Sequence, residues 1–392
     1  VSGADPILVG IGMTRFAKYP ERSLKSLGRE AIEAAVLDGE VEPDEIDMAF
    51  VANSMSGTIT GQTAIVGQTI LRDMGFSTIP VFNIDNACAS SSSAFALAVQ
   101  AIKAGSANTV LVVGVEKLVV ADDKSRAYLA LNGAADPELL ADSGINPGKE
   151  SLFVASVYPE RLDRYANQFS LKQETLAEIS VKNRHHASLN PQAQYTDPLT
   201  VEAVMNARQV VGPVTTLMCA PIGDGASAVI LTRADRARPS QHKIKVRAAC
   251  VGMGMSPDNG TAIGHTARQA YQTAGISPAD IDFAEVHDSI SFNELLAYEE
   301  LGFADPGQGH RLVESGATSL GGSIPVNTSG GLESRGHPVA ATGLAQLIEL
   351  TQQLRGDAGG RQVENAQIGL AENAGGFAKD DTAAMAITIL SN

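Results

Sequence analysis

Three residues far apart in the chain have the types that nucleophilic chemistry on a carbonyl needs. Cys88 lies in NIDNACASSSSAFALAVQAIKAG (83–105), where an apolar approach gives way to a turn of small polar residues and then to a helical pattern. A thiol at a strand-to-helix junction meets unpaired backbone N–H groups and the positive end of a helix dipole. Both favour the thiolate, so a thiol pKa below the usual ~8.5 is expected there. The same N–H groups could hold the oxyanion of an attacked carbonyl. His337, in SRGHPVAATG, and His287, in EVHDSISFNELLAYEE, add the base and the hydrogen-bond donor that a cysteine nucleophile requires. Taken singly, each has a plainer explanation, a buried thiol or a structural histidine. Their placement on equivalent parts of a repeat separates them from the rest.

Strand-like runs alternate with helical ones from PILVGIG onward, which implies an α/β protein with a largely parallel sheet. Residues 31–51, AIEAAVLDGEVEPDEIDMAFV, match residues 267–286, ARQAYQTAGISPADIDFAEV. In both, a glycine (Gly39, Gly275) closes a helix, a proline (Pro43, Pro278) opens a turn, and Ile-Asp leads into an apolar strand. The cysteine segment has its own counterpart at 325–356, PVNTSGGLESRGHPVAATGLAQLIELTQQLRG. Two copies related by a pseudo-twofold axis would let the cysteine turn and the His337 turn meet near that axis, with His287 at the end of a repeat strand. From about Lys117 to Pro213 the pattern changes to a loop-rich stretch and then a charged helical one, an insertion suited to carrying substrate-binding surface. His185 and His186 are expected on a solvated face of that insertion. His242, His265 and His310 have no constellation around them, and Cys219 is expected in the core or a pocket wall.

The chain has 392 residues, 44% hydrophobic and 19% charged, with a formal net charge of −15. That charge argues against nucleic acid or an anionic membrane as the main partner. No run nears the roughly 18 apolar residues of a membrane span. VSGADPILVGIGMTRF lacks a basic region followed by a long apolar stretch, so no signal peptide is expected. Three widely spaced cysteines fit a reducing compartment, here the cytoplasm, and no pair has zinc-ligand spacing. GIGMTRF lacks the third glycine of a dinucleotide site, and GMGMSPDNGTAIG lacks the P-loop lysine.

The motifs, taken in order, resemble the thiolase superfamily, and within it the sterol-carrier-protein-type (lipid-transfer-protein) thiolases. They are VGIGMTRFAKYPERSLKSLGREA, NACASSSSAF, ISVKNRHHASLNPQAQ, CAPIGDGASAVIL, EVHDSISFNELLAYEELGF, NTSGGLESRGHPVAATG and GLAENAGGF. The resemblance implies the duplicated five-layer αβαβα thiolase fold with an inserted loop domain. Residues 1–117 and 213–238 would form the N-terminal half carrying the cysteine. Residues 118–212 would be the insertion lining the substrate and CoA pocket, and residues 239–392 the C-terminal half carrying both histidines. It also implies acyl-CoA chemistry through a cysteine thioester, a homodimer or homotetramer, and no cofactor or metal beyond the CoA thioester substrate. By motif, Cys88 would be acylated, His337 would activate it, and His287 would bind a thioester oxygen. Gly375 with the Cys88 N–H would form a second oxyanion hole, and Asp288, Asn373 and Ser289 would support the site. Lys182 and Arg184 are suggested by charge alone for the CoA phosphates.

The departures from the family pattern carry information. Thiolases use a second cysteine to move the proton alpha to a thioester, yet its two usual positions hold Asn373 and Ser289 here. Neither side chain is a good base near neutral pH. The reading is an acyl-CoA-dependent acyltransferase that forms or cleaves a 3-ketoacyl-CoA. Alternatives are a thiolase-like binding or scaffold subunit without turnover, a decarboxylative condensing enzyme, and an aldolase acting on a CoA-linked side chain. Relatives of the last kind work with a small OB-fold partner subunit.

Overall fold

The computed structural model describes residues 5–121, 123–153, 158–254, 260–378 and 381–392. Its strands are β1 (Pro6–Met13), β2 (Met48–Ala52), β3 (Val81–Ile84), β4 (Thr109–Glu116), the short pair β5 (Gln209–Val211) and β6 (Val214–Thr215), β7 (Gly225–Arg233), β8 (Ile244–Met253), β9 (Phe283–Glu285), β10 (Ile368–Ala378) and β11 (Asp381–Ser391). The helices of the first half are α1 (Leu24–Asp38), α2 (Ser56–Thr60), α3 (Val66–Leu71) and α4 (Ser90–Lys103). Between β4 and β7 come α5 (Ser125–Asn132), α6 (Pro137–Asp142), α7 (Tyr158–Phe169), α8 (Gln173–Ser188) and α9 (Val201–Met205). The second half adds α10 (Ala262–Ala274), α11 (Ser291–Glu300), α12 (Gly309–Glu314), α13 (Gly331–Arg335) and α14 (Thr342–Arg355).

The nine-stranded sheet runs β3-β2-β4-β7-β1-β8-β11-β10-β9, and it is mostly antiparallel, not largely parallel as expected: only β2 with β3, β2 with β4 and β9 with β10 pair in parallel. Read from each end toward the centre it is the same order twice, with β9, β10, β11 and β8 standing for β2, β4, β7 and β1. The halves join where β1 meets β8 through Ile7↔Lys245 and Leu8↔Ile244. Where β3 completes the first half, the second has a single parallel bridge, Ala284↔Val326. The matched turns agree in detail. Both Pro43–Glu45 and Pro278–Asp280 are 3₁₀ turns with proline at the start and a reciprocal capping box. Gly39 and Gly275 both follow their helices, although only Gly275 is left-handed, at φ 68°.

The layers follow from which faces are apolar. Helix α1 starts at Ser23, whose side chain accepts from the Ser26 N–H, and buries Leu24, Leu27, Ala31, Ile32 and Ala35 against β1, β7 and β4. Helix α10 packs in the same way on β8 and β11. Between the two halves lie α4 and α14, which touch each other and strands of both halves, giving five layers. Both helices are buried on nearly every side, and α4 can be so because its first turn is four serines followed by alanine.

The insertion differs from the sequence expectation at one place. Helix α8 is an interior element that packs on α11 and α13, and His186 is fully buried. Its Nδ1 faces the Asn327 carbonyl at 3.0 Å and its Nε2 accepts from the Leu320 N–H at 3.1 Å. Only His185 of the pair is exposed. Lys182 and Arg184 are also committed internally. Lys182 Nζ lies 2.6 Å from Glu294 and donates to the Val326 carbonyl, while Arg184 Nε donates to Ser334 Oγ. Their expected role on CoA phosphates is therefore dropped. Among the described residues no helix is long and apolar enough to cross a membrane.

Candidate active site

The cysteine turn is built by the serines of α4. Ser90 Oγ accepts from the Asn86 N–H (2.8 Å), Ser91 Oγ from the Leu344 N–H of α14 (3.1 Å), and Ser93 Oγ from Asn86 Nδ2 (2.8 Å). Cys88 sits in the 3₁₀ turn Ala87–Ala89 just before the helix. Ala87 holds a left-handed φ of 50°, a strained conformation of the kind found at functional turns. The equivalent turn of the other half, Val339–Ala341, carries His337 two residues upstream. Glu116, at the end of β4, accepts from the Ala340 N–H at 3.2 Å and from the Ser56 hydroxyl, and so anchors the His337 turn to the first half.

The expected convergence occurs. Cys88 Sγ and one ring nitrogen each from His287 and His337 lie within 4.8 Å of one another. The two rings meet edge to face, with centroids 5.2 Å apart. Among the described residues these three donors are also close enough together to hold a metal ion.

With the Asn373 amide nitrogen toward His287 and the Thr342 proton on the Pro338 carbonyl, the hydrogen bonds behind the rings assign opposite tautomers. Asn373 Nδ2 lies 3.0 Å from His287 Nδ1, and Asn373 Oδ1 is occupied by the Ser92 hydroxyl at 2.9 Å. An amide N–H can only donate, so His287 Nδ1 accepts and its proton sits on Nε2. Thr342 Oγ1 donates to the Pro338 carbonyl at 3.0 Å and lies 2.7 Å from His337 Nδ1. His337 Nδ1 therefore carries the proton given to Thr342, and its Nε2 presents a lone pair. Burial holds His287 neutral, its pKa pulled down to about 3. Burial also lowers His337, helped by His287 and Arg335. One imidazole is thus a donor and the other a base.

The thiol departs from expectation. Burial pushes Cys88 up to about 12, the Gly376 N–H opposes this, and the Glu116 carboxylate adds to it. Loss of water at the sulfur of this half-buried residue outweighs the backbone N–H groups that face it, so Cys88 rests as a thiol and needs a base. Gly375 packs against the same turn, where an added Cβ would lie 2.2 Å from the Asn86 carbonyl and 2.7 Å from the Ala89 nitrogen. Asp288 is buried and holds the approach to the His337 turn, accepting from the Leu332 N–H (2.6 Å) and Asn183 Nδ2 (2.9 Å). Ser289 Oγ accepts from Asn293 Nδ2 at 2.8 Å. Cys219, bridged to Ile290, is half-buried against the core. Sequence reasoning missed Thr342, Ser92 and Glu116. The unbroken serine run beside Cys88 was the one available signal.

A family model described as the N-terminal domain of thiolase matches residues 7–211, and one described as thiolase C-terminal domain-like matches residues 254–391. An acetyl-CoA acetyltransferase of Methanothermobacter thermautotrophicus is 38% identical over 380 residues, covering 95% of this chain and 96% of that one. Human sterol carrier protein 2 is 34% identical over 397 residues, covering 94% of this chain and 69% of that protein. Two solved structures share the fold. An Ltp2-ChsH2(DUF35) aldolase has TM-score 0.79 and 24% identity, covering 99% of this chain and 98% of that one. Human mitochondrial 3-ketoacyl-CoA thiolase has TM-score 0.74 and 16% identity, covering 100% of both chains. With both halves matched and relatives above 30% identity along nearly its whole length, the chain belongs to the thiolase family, beside relatives of the sterol carrier protein 2 type, as a thiolase-family acyltransferase.

Proposed function

We propose that the protein forms or cleaves 3-ketoacyl-CoA by Claisen chemistry through an acyl thioester on Cys88. The observation that carries this reading is the convergence of a thiol, a lone-pair imidazole and a donor imidazole within 4.8 Å. His337 Nε2 takes the Cys88 proton as the sulfur attacks an acyl-CoA carbonyl. The backbone N–H groups around Cys88 and Gly375 receive the oxyanion, and CoA leaves with the proton from His337. A second acyl-CoA then places its thioester oxygen on the His287 Nε2 proton. His337, neutral again, accepts the alpha proton, the resulting enolate attacks the Cys88 thioester, and the proton returns to the Cys88 sulfur. Protons balance without a second cysteine, which matters because Asn373 is committed to His287 and Ser92.

Decarboxylative condensation is the second reading, since loss of CO₂ generates the carbanion without any alpha-proton base. Product formation with paired donors tests the choice. Acetyl-CoA supporting turnover with an acyl-primed enzyme upholds the proposal. Turnover with malonyl-CoA and none with acetyl-CoA overturns it.

We also propose a homodimer acting in the cytoplasm. Support for the dimer comes from β3, the outermost strand of the sheet, where Phe82 is 46% exposed beside an open strand edge. One structure that shares the fold is an Ltp2-ChsH2(DUF35) aldolase. A small partner subunit on this chain is accordingly part of the proposal to be checked by co-purification.

A further inference from the structure

Strand β10 pairs in parallel with β9, and the last paired residues are Ala371 and Glu285. Beyond Glu285 the ladder ends, and the next N–H groups must find other acceptors or stay buried and unpaired. The Val286 N–H donates to Asn327 Oδ1 at 2.8 Å, and the His287 N–H donates to Glu372 Oε2 at 2.7 Å. Glu372 is 1% exposed, its own carbonyl accepts from Gln346 Nε2 at 2.8 Å, and its Oε1 has no hydrogen-bond partner among the described residues. The next residue on the strand, Asn373, holds the ring of the same histidine. Side chains of successive strand residues leave on opposite faces. Glu372 and Asn373 thus clamp His287 at two points, one on the backbone and one on the ring.

We propose that Glu372 is a positioning residue for His287, setting the place of the Nε2 proton that meets the second thioester. This rests on the reaction proposed above, because it assigns His287 to the carbon–carbon step and leaves acylation of Cys88 to His337. The surroundings explain why a carboxylate there needs this task. Burial pushes Glu372 up to about 7, the His287 N–H opposes the shift, Glu300 adds to it and Arg161 of α7 opposes it. A buried acid facing another acid is costly to keep without a donor to bind.

The test compares Glu372→Gln, which keeps an acceptor for the His287 N–H, with Glu372→Met, which keeps length and removes the acceptor. Both are assayed for Cys88 acylation by acetyl-CoA, read by intact mass, and for steady-state condensation. The expected result for Glu372→Met is condensation slowed about 100-fold with acylation within about threefold of wild type, since a small misplacement of a reacting group costs about that much. Glu372→Gln is expected to stay within about threefold in both steps. If Glu372→Met does not fold, Glu372→Asp, whose shorter carboxylate falls short of the same N–H, replaces it. Condensation at the wild-type rate in Glu372→Met overturns the proposal, and so does an equal loss of both steps in Met and Gln alike. A readout free of turnover is the His287 ring resonances in histidine-labelled protein. They are expected to move or broaden in Met and hold in Gln, and an unmoved spectrum in Met contradicts the clamp. Absence of any acyl adduct on wild-type Cys88 is a separate result, one that sinks the proposed reaction and leaves the clamp to be judged by those resonances.

Discussion

Cys88 and His337 divide the work of a nucleophile because neither alone can do it in a dry site. The thiol is raised to about 12 by burial, so a thiolate at pH 7 is scarce and grows about tenfold per pH unit up to that value. Alkylation of Cys88 by iodoacetamide is therefore expected to keep accelerating beyond pH 9, and a plateau near neutrality would contradict the assignment. The lone pair on His337 Nε2 depends on Thr342 holding the opposite nitrogen. Thr342→Val, nearly the same shape without the hydroxyl, is expected to slow Cys88 acylation about tenfold, a part of the roughly 10²–10⁴-fold that a positioned general base supplies. Acylation followed by stopped-flow release of CoA measures it. The three residue types were legible in the sequence, but protonation states were not. A thiol at a helix start is favoured as an anion only while water remains, and burial is a property of the packed whole.

The two Cys and His turns face each other because α4 and α14 approach closely, and small residues at their crossing make that possible. An added Cβ on Gly343 would lie 2.0 Å from Ser92 Oγ and 2.7 Å from Asn373 Oδ1. Gly343→Ala is accordingly expected to cost about 1–3 kcal/mol of stability and to disturb the Ser92–Asn373–His287 chain. Thermal melting and condensation rate should fall together, and an unchanged pair of values would contradict this account of the crossing. The repeated helix, glycine, proline and strand pattern was legible because each copy shows one apolar face to the strands of its own half. Helix α8 was misread because it is buried on several sides. In sequence His186 looks solvated and Lys182 and Arg184 look free to meet phosphates, yet partners distant in the chain, Asn327, Glu294 and Ser334, satisfy them inside.

Across the whole molecule, the duplicated order of strands is what carries residues 88, 287 and 337 to one point. The strand order repeats from each end of the sheet, and the central helices bring the matched turns together. The same arrangement leaves β3 as an outer strand with Phe82 stacked on Phe50 at 5.2 Å and half open. Phe82→Glu is expected to convert a dimer into a monomer in light scattering after size exclusion. A wild-type protein already monomeric at assay concentration contradicts the dimer proposal. The central claim concerns chemistry at the meeting point itself. Intact mass of the protein after brief incubation with acetyl-CoA, compared with Cys88→Ala, tests it most directly. The account predicts one acetyl group added to wild type, carried by the peptide containing Cys88, and none on Cys88→Ala. No adduct on wild type, or an equal adduct on both, would contradict it.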